Sequence, residues 1–148
     1  MSSDADLIKL YSGRILALAA DIPHLGRLEA PQGTARERSP LCGSTVTVDL
    51  VMDGGRVAQF GQDVKACALG QAASAVIGAA IIGQDEATIR RGRDELAAML
   101  TEGAPAPAAP WDGLEVLRPA AEFRNRHPSI LLCFDATLTA IKNAKNAR

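Results

Sequence analysis

Apolar and polar positions alternate most clearly between Thr45 and Met52. Val46, Val48, Leu50 and Met52 fall on one side and Thr45, Thr47 and Asp49 on the other. That period of two predicts a strand with one buried face. Asp53-Gly54-Gly55 carries hairpin-turn chemistry and returns the chain through Arg56 to Phe60. Val57 and Phe60 differ in parity, which predicts a bulge or a loose edge near Ala58-Gln59. A second tight reversal at Gly61-Gln62 would lead into a third strand, Val64 to Ala68, that ends through Cys67. The expected sheet is then a three-stranded antiparallel meander. So small a sheet needs helices over one face.

Elsewhere the spacing is helical. Asp4 can cap a first helix with Leu7, Ile8, Tyr11, Ile15, Leu18 and Ile22 on its apolar side, stopped by Pro23 and Gly26. Leu28 to Pro40 shows no period and many charges, so it reads as a surface connection. From Gly70 onward, small residues permit close backbone approach, with Ile77, Ile81 and Ile82 as the buried stripe. Gln84-Asp85-Glu86 opens another helix, with Ile89, Leu96, Met99 and Leu100 inward and the Arg90, Arg91, Arg93, Asp94 and Glu95 cluster in solvent. Its acidic start suits the helix dipole. Gly103 to Pro110 is a proline-stiffened connector, and Trp111 to Asn125 forms short turns anchored by Leu114, Leu117 and Phe123. A last helix starts at Pro128-Ser129 and buries Ile130, Cys133, Phe134, Leu138 and Ile141. The pattern adds up to one α+β domain over residues 1–148.

Composition narrows the function classes. A net charge of −1 gives no reason to expect nucleic acid or an anionic membrane as partner. The uncharged run from Ala66 to Gly83 is mostly Ala and Gly, contains Gln71 and Ser74, and lacks aromatic belts, so it reads as a buried core helix. Three cysteines without disulfide spacing or a preceding secretory signal fit a reducing cytoplasm. Cys67 stands just ahead of a helix, where the positive end of the dipole favours thiolate, the form that binds metals and accepts sulfur. Cys42 precedes the first strand. With strands one and three running the same way, strand order alone holds Cys42 and Cys67 apart, unless the Pro40–Gly43 loop folds across the sheet end. No Gly-rich phosphate loop, Ser-His-Asp order or catalytic carboxylate pair stands out.

Several blocks together carry a resemblance: Leu10-Tyr11, Pro23-His24-Leu25-Gly26, Ser39-Pro40-Leu41-Cys42-Gly43, Lys65-Ala66-Cys67-Ala68-Leu69-Gly70-Gln71-Ala72-Ala73-Ser74-Ala75, and Arg126 to Phe134. The chain resembles the NifU-like (IscU/SufU) iron–sulfur cluster assembly scaffolds over nearly its whole length. The resemblance implies a three-stranded antiparallel sheet packed against an N-terminal helix and several C-terminal helices. It also implies that the first two cysteine loops meet at one end of the molecule. In that family, three cysteines and an aspartate, sometimes with a histidine, hold a cluster or zinc. Carried onto this chain, the first two cysteines are Cys42 and Cys67. Ser44 stands at the aspartate and Ser129 at the third cysteine. Cys133 lies one helical turn beyond Ser129, and His127 is one residue out of register with the family's histidine.

The expected site is therefore cysteine-centred, on Cys42 and Cys67, with three readings open. A metal site for iron, an Fe–S cluster or zinc is rebuilt with some of Asp63, His127, Cys133 and Asp135, within one chain or across a homodimer. Or Cys42 or Cys67 carries sulfur transiently as a persulfide. Or the metal function is gone and the fold serves to bind partners. The resemblance implies a cysteine desulfurase and Fe–S carrier or acceptor proteins as partners, and a scaffold or acceptor role without bond-making catalysis. A partner-binding protein without a cofactor and a zinc-dependent sulfurtransferase are the alternatives.

Overall fold

The computed structural model describes residues 12–40 and 43–147. Helix α1 (Gly13–Ala20) is capped by Ser12, whose side chain accepts from Ile15 N, and it buries Ile15. The expected cap Asp4 and apolar residues Leu7, Ile8 and Tyr11 lie outside the described residues. Three antiparallel strands follow in order: β1 (Gly33–Arg38), β2 (Thr45–Asp53) and β3 (Arg56–Lys65). Next come α2 (Ala68–Ala80) and α3 (Glu86–Glu102), then a 3₁₀ stretch at Asp112–Glu122 and a short one at Arg124–Arg126. The described chain closes with α4 (His127–Asn146).

The sheet is an antiparallel meander, as expected, but two of its three strands differ from the expectation. Gly33–Arg38, read as a surface connection, is edge strand β1. It carries one apolar side chain, Ala35, so it leaves no alternating signal, and its charges suit an exposed edge. Gly33 is needed where α4 crosses it: a Cβ there would sit 2.0 Å from the Ala140 carbonyl oxygen. Gly61-Gln62, read as a reversal, lies within continuous β3. Gly61 is small because a Cβ would come 2.6 Å from Gly26 O. Gln62 is fully buried and donates from Nε2 to Pro23 O and Ser74 O at 3.0 and 3.2 Å. Its amide dipoles act as core fasteners here.

The β2–β3 hairpin follows the sequence closely. Asp53 pairs with Arg56 across Gly54 and Gly55, both at positive φ, the conformation a two-residue type I′ turn demands. Register shifts between Val51↔Gln59 and Met52↔Val57, leaving Ala58 as the extra residue of a bulge. Val46, Val48 and Leu50 are fully buried in the same core as Leu69, Ala72, Ala73 and Ile77 of α2 and Ile130, Phe134 and Ile141 of α4. Helix α3 has the predicted inner face, Ile89, Leu96, Met99 and Leu100, and Asp85 caps it by accepting from Thr88 N at 2.8 Å. Among the described residues, no helix is long and apolar enough to cross a membrane.

Candidate functional site

The register brings three strand ends into one row. Thr45, which begins β2, pairs with Arg38 at the end of β1 and with Lys65 at the end of β3. Whatever immediately precedes β2 therefore lies beside whatever immediately follows β3. The loop between β1 and β2 is closed by Ser39 N donating to Ser44 O at 2.8 Å and Gly43 N donating to Ser39 O at 3.0 Å. Cys42 falls within this loop and outside the described residues. Cys67 lies two residues beyond Lys65 and is the N-cap of α2, with extended backbone and no cap bond from its thiol. The corner is held by Gln71, whose Nε2 donates to Ala66 O at 2.8 Å.

Helix α4 supplies the third wall. Its N-terminus packs directly on the first turn of α2, where Gly70 leaves the room: a Cβ would lie 2.7 Å from Ser129 Oγ. Ser129, 1% exposed, points into the corner. Its Oγ lies 3.6 Å from Cys67 Sγ and donates to Ser44 Oγ at 3.1 Å. Cys67, Ser129 and Ser44 thus form one chain of touching polar atoms, drawn from three segments far apart in sequence. Cys67 is half-buried and both serines are buried, so Cys67 is the most accessible residue of the three.

The other candidates are placed elsewhere. Cys133 is sealed in the core, with Sγ 3.5 Å from Gln62 Oε1, and burial pushes its thiol up to about 12. His127 is buried and its Nε2 meets Ala120 O at 3.0 Å. A carbonyl only accepts, so that nitrogen carries the proton and is committed. Asp63 is exposed on β3 opposite Thr47. Asp135 accepts from Arg93 Nε at 3.0 Å. Among the described residues, no three of His, Cys, Asp and Glu come together as a metal would require. The structure assembles the two serines that stand at the family's ligand positions beside Cys67.

The burial of Cys133 has a direct chemical consequence. Thiolate is the reactive form, and a sealed, protonated thiol does not alkylate. Iodoacetamide at pH 8 should leave Cys133 unmodified in the folded chain and label it fully in denaturant. Peptide mass spectrometry reads this, and labelling of Cys133 under native conditions would contradict the packing.

The protein is thus an α+β domain with a three-stranded meander, whose sheet end and two helix N-termini converge on a cysteine–serine cluster. The solved structures it matches define it further. It superposes with a TM-score of 0.91 and 39% identity on the N-terminal part of a nitrogen-fixing NifU-like protein from Brucella abortus, covering 95% of this chain and 98% of that one. The chain belongs to the NifU-like family. A candidate iron–sulfur cluster assembly scaffold for the SUF system from Fervidobacterium islandicum shares the fold at TM-score 0.78 and 19% identity, over 89% of this chain and 96% of that one. A hypothetical protein matches equally well in fold, at TM-score 0.78 and 23% identity over 90% and 97%. No family profile and no curated protein sequence matches the chain.

The donor set at this corner does not fit the zinc ion or cluster implied by the resemblance. Such centres take thiolates, imidazoles and carboxylates. Two of the four corresponding positions here carry neutral hydroxyls, already hydrogen-bonded to each other.

Proposed function

We propose that this protein works in iron–sulfur cluster assembly as a sulfur acceptor that docks a cysteine desulfurase and passes sulfane sulfur on to a carrier or acceptor. The observation that carries this reading is the half-buried Cys67 thiol at the mouth of the cluster, 3.6 Å from a hydroxyl that can donate to it. The family relationship and the scaffold described from Fervidobacterium support it.

The step balances without a redox partner. The Cys67 thiolate attacks the outer sulfur of the donor's persulfide. A new S–S bond forms on Cys67 as the donor's S–S bond breaks, and the donor leaves as a thiolate that takes up the proton Cys67 lost. Ser129, by turning its O–H from Ser44 toward sulfur, stabilises the negative charge on the attacking atom and then on the persulfide. Cys42, two positions before Ser44, supplies a second thiol for the next transfer.

Anaerobic incubation with a cysteine desulfurase and free cysteine, followed by alkylation and peptide mass spectrometry, tests this. Wild-type protein should carry one added sulfur on Cys67, and C67S should lose that adduct. No adduct on wild type, or an unchanged total adduct in C67S, would overturn the reading.

A further inference from the structure

The corner of Cys67, Ser129 and Ser44 brings together three of the family's ligand positions, two of them with the wrong atoms for a metal. A tetrahedral zinc with bonds of about 2.3 Å to sulfur and about 2.1 Å to oxygen sets S···O edges near ~3.5 Å and O···O edges near ~3.4 Å. The observed separations are 3.6 Å for Cys67 Sγ to Ser129 Oγ and 3.1 Å for Ser129 Oγ to Ser44 Oγ. Ser129 Oγ therefore stands within ligand spacing of both other side chains.

The obstacle is chemical. An aliphatic hydroxyl keeps its proton at neutral pH and offers a neutral oxygen, whereas thiolate and carboxylate each bring a full negative charge. Here the two oxygens also hydrogen-bond each other, an interaction that metal entry would break. Among the described residues, no three of His, Cys, Asp and Glu gather to make up the deficit: Asp135 is bonded to Arg93 and Cys133 is in the core. We propose that this corner refuses zinc because Ser44 and Ser129 bring neutral hydroxyls, and that a carboxylate and a thiol at those two positions restore binding.

The inference rests on the same site as the sulfur-acceptor reading but not on sulfur transfer. Its test uses neither desulfurase nor persulfide, so either idea can fail while the other stands. The reduced full chain is titrated with zinc against a chromophoric chelator, and separately with cobalt(II), whose visible bands report tetrahedral sulfur ligation. Wild type should show no tetrahedral cobalt spectrum. S44D/S129C should show one and bind zinc at least ~100-fold more tightly, since one or more charged ligands replace neutral ones. Adding C67S to that variant should abolish the gain. Wild type binding zinc stoichiometrically and within tenfold of S44D/S129C would overturn the proposal. So would a folded S44D/S129C, judged by circular dichroism and melting, that gains nothing. Should the double variant not fold, S129C alone decides. It replaces one small buried side chain by another of similar size, and it must gain about tenfold if the proposal holds.

Discussion

Trp111→Ala should cost about 3–5 kcal/mol of folding stability, the range for emptying a buried aromatic site. For a domain of this size that lowers the melting temperature by roughly 10 °C. Trp111 is fully buried, and its indole N–H donates to Thr88 O at 3.0 Å. Its ring meets Phe134 of α4 edge-on, with centroids 5.2 Å apart. Gly92 of α3 exists to admit it, since a Cβ there would come within 2.5 Å of the indole. One side chain thus fastens α3, α4 and the start of the 3₁₀ stretch together. Trp111→Phe keeps most of the apolar area but removes the indole's bond to the Thr88 carbonyl, and should cost about 1–2 kcal/mol. Urea unfolding of the three proteins provides the measurement. A Trp111→Ala midpoint indistinguishable from wild type would mean the indole is not the fastener described here. Because α4 also presents Ser129, loosening its seat should additionally broaden the environment of Cys67.

Strand β2, its hairpin, the bulge at Ala58 and the inner faces of α3 and α4 were legible because each has a strong local cause. Alternation marks the strand, two glycines the turn, parity the bulge, and helical spacing the apolar faces. Strand β1 was not legible, since Gly33–Arg38 gains its place from pairing and from α4 rather than from its own apolar pattern. Gly61 and Gln62 look like a turn because small and polar residues usually are one. Here they serve close packing and a buried amide network. Those two misreadings had one consequence for the site. With β3 counted as two strands, the segments bearing Cys42 and Cys67 seemed to belong to opposite ends of the sheet. With β3 continuous, the Thr45↔Lys65 pair puts the start of β2 beside the end of β3, and the resemblance to the NifU-like family and the topology agree. The role of Ser129 as a partner of both Cys67 and Ser44 lay beyond sequence reasoning, because it depends on the α2–α4 contact at Gly70.

Asp49→Ala should cost about 2–4 kcal/mol at neutral pH, because it removes a buried carboxylate to which Thr34, Leu28 N and the half-exposed Arg27 all donate. Asp49 lies in the middle of β2 with its side chain fully buried. It accepts from Arg27 Nε at 2.6 Å and Nη2 at 3.1 Å, from Thr34 Oγ1 at 2.6 Å and from Leu28 N at 3.0 Å. The carboxylate therefore ties the segment before β1 and β1 itself to the central strand. Burial alone would raise its pKa, but the hydrogen bonds from Arg27, Thr34 and Leu28, with the charge of Arg27, outweigh burial and hold it below the ordinary 3.8. A folded-state value below the unfolded one means that the unfolded chain binds the proton more readily. The ionised network then contributes its full stabilisation above about pH 5, and that contribution drains away as pH falls through 3.8 and past the lower folded value. The wild-type advantage over Asp49→Ala should accordingly be constant from pH 8 to pH 5 and narrow steadily below it. Denaturant unfolding of both proteins across that range reads the difference. An advantage that instead grew on acidification would mean that the carboxyl is held protonated in the fold, and that the Arg27 clamp is not what joins β1 to the sheet whose end forms the site.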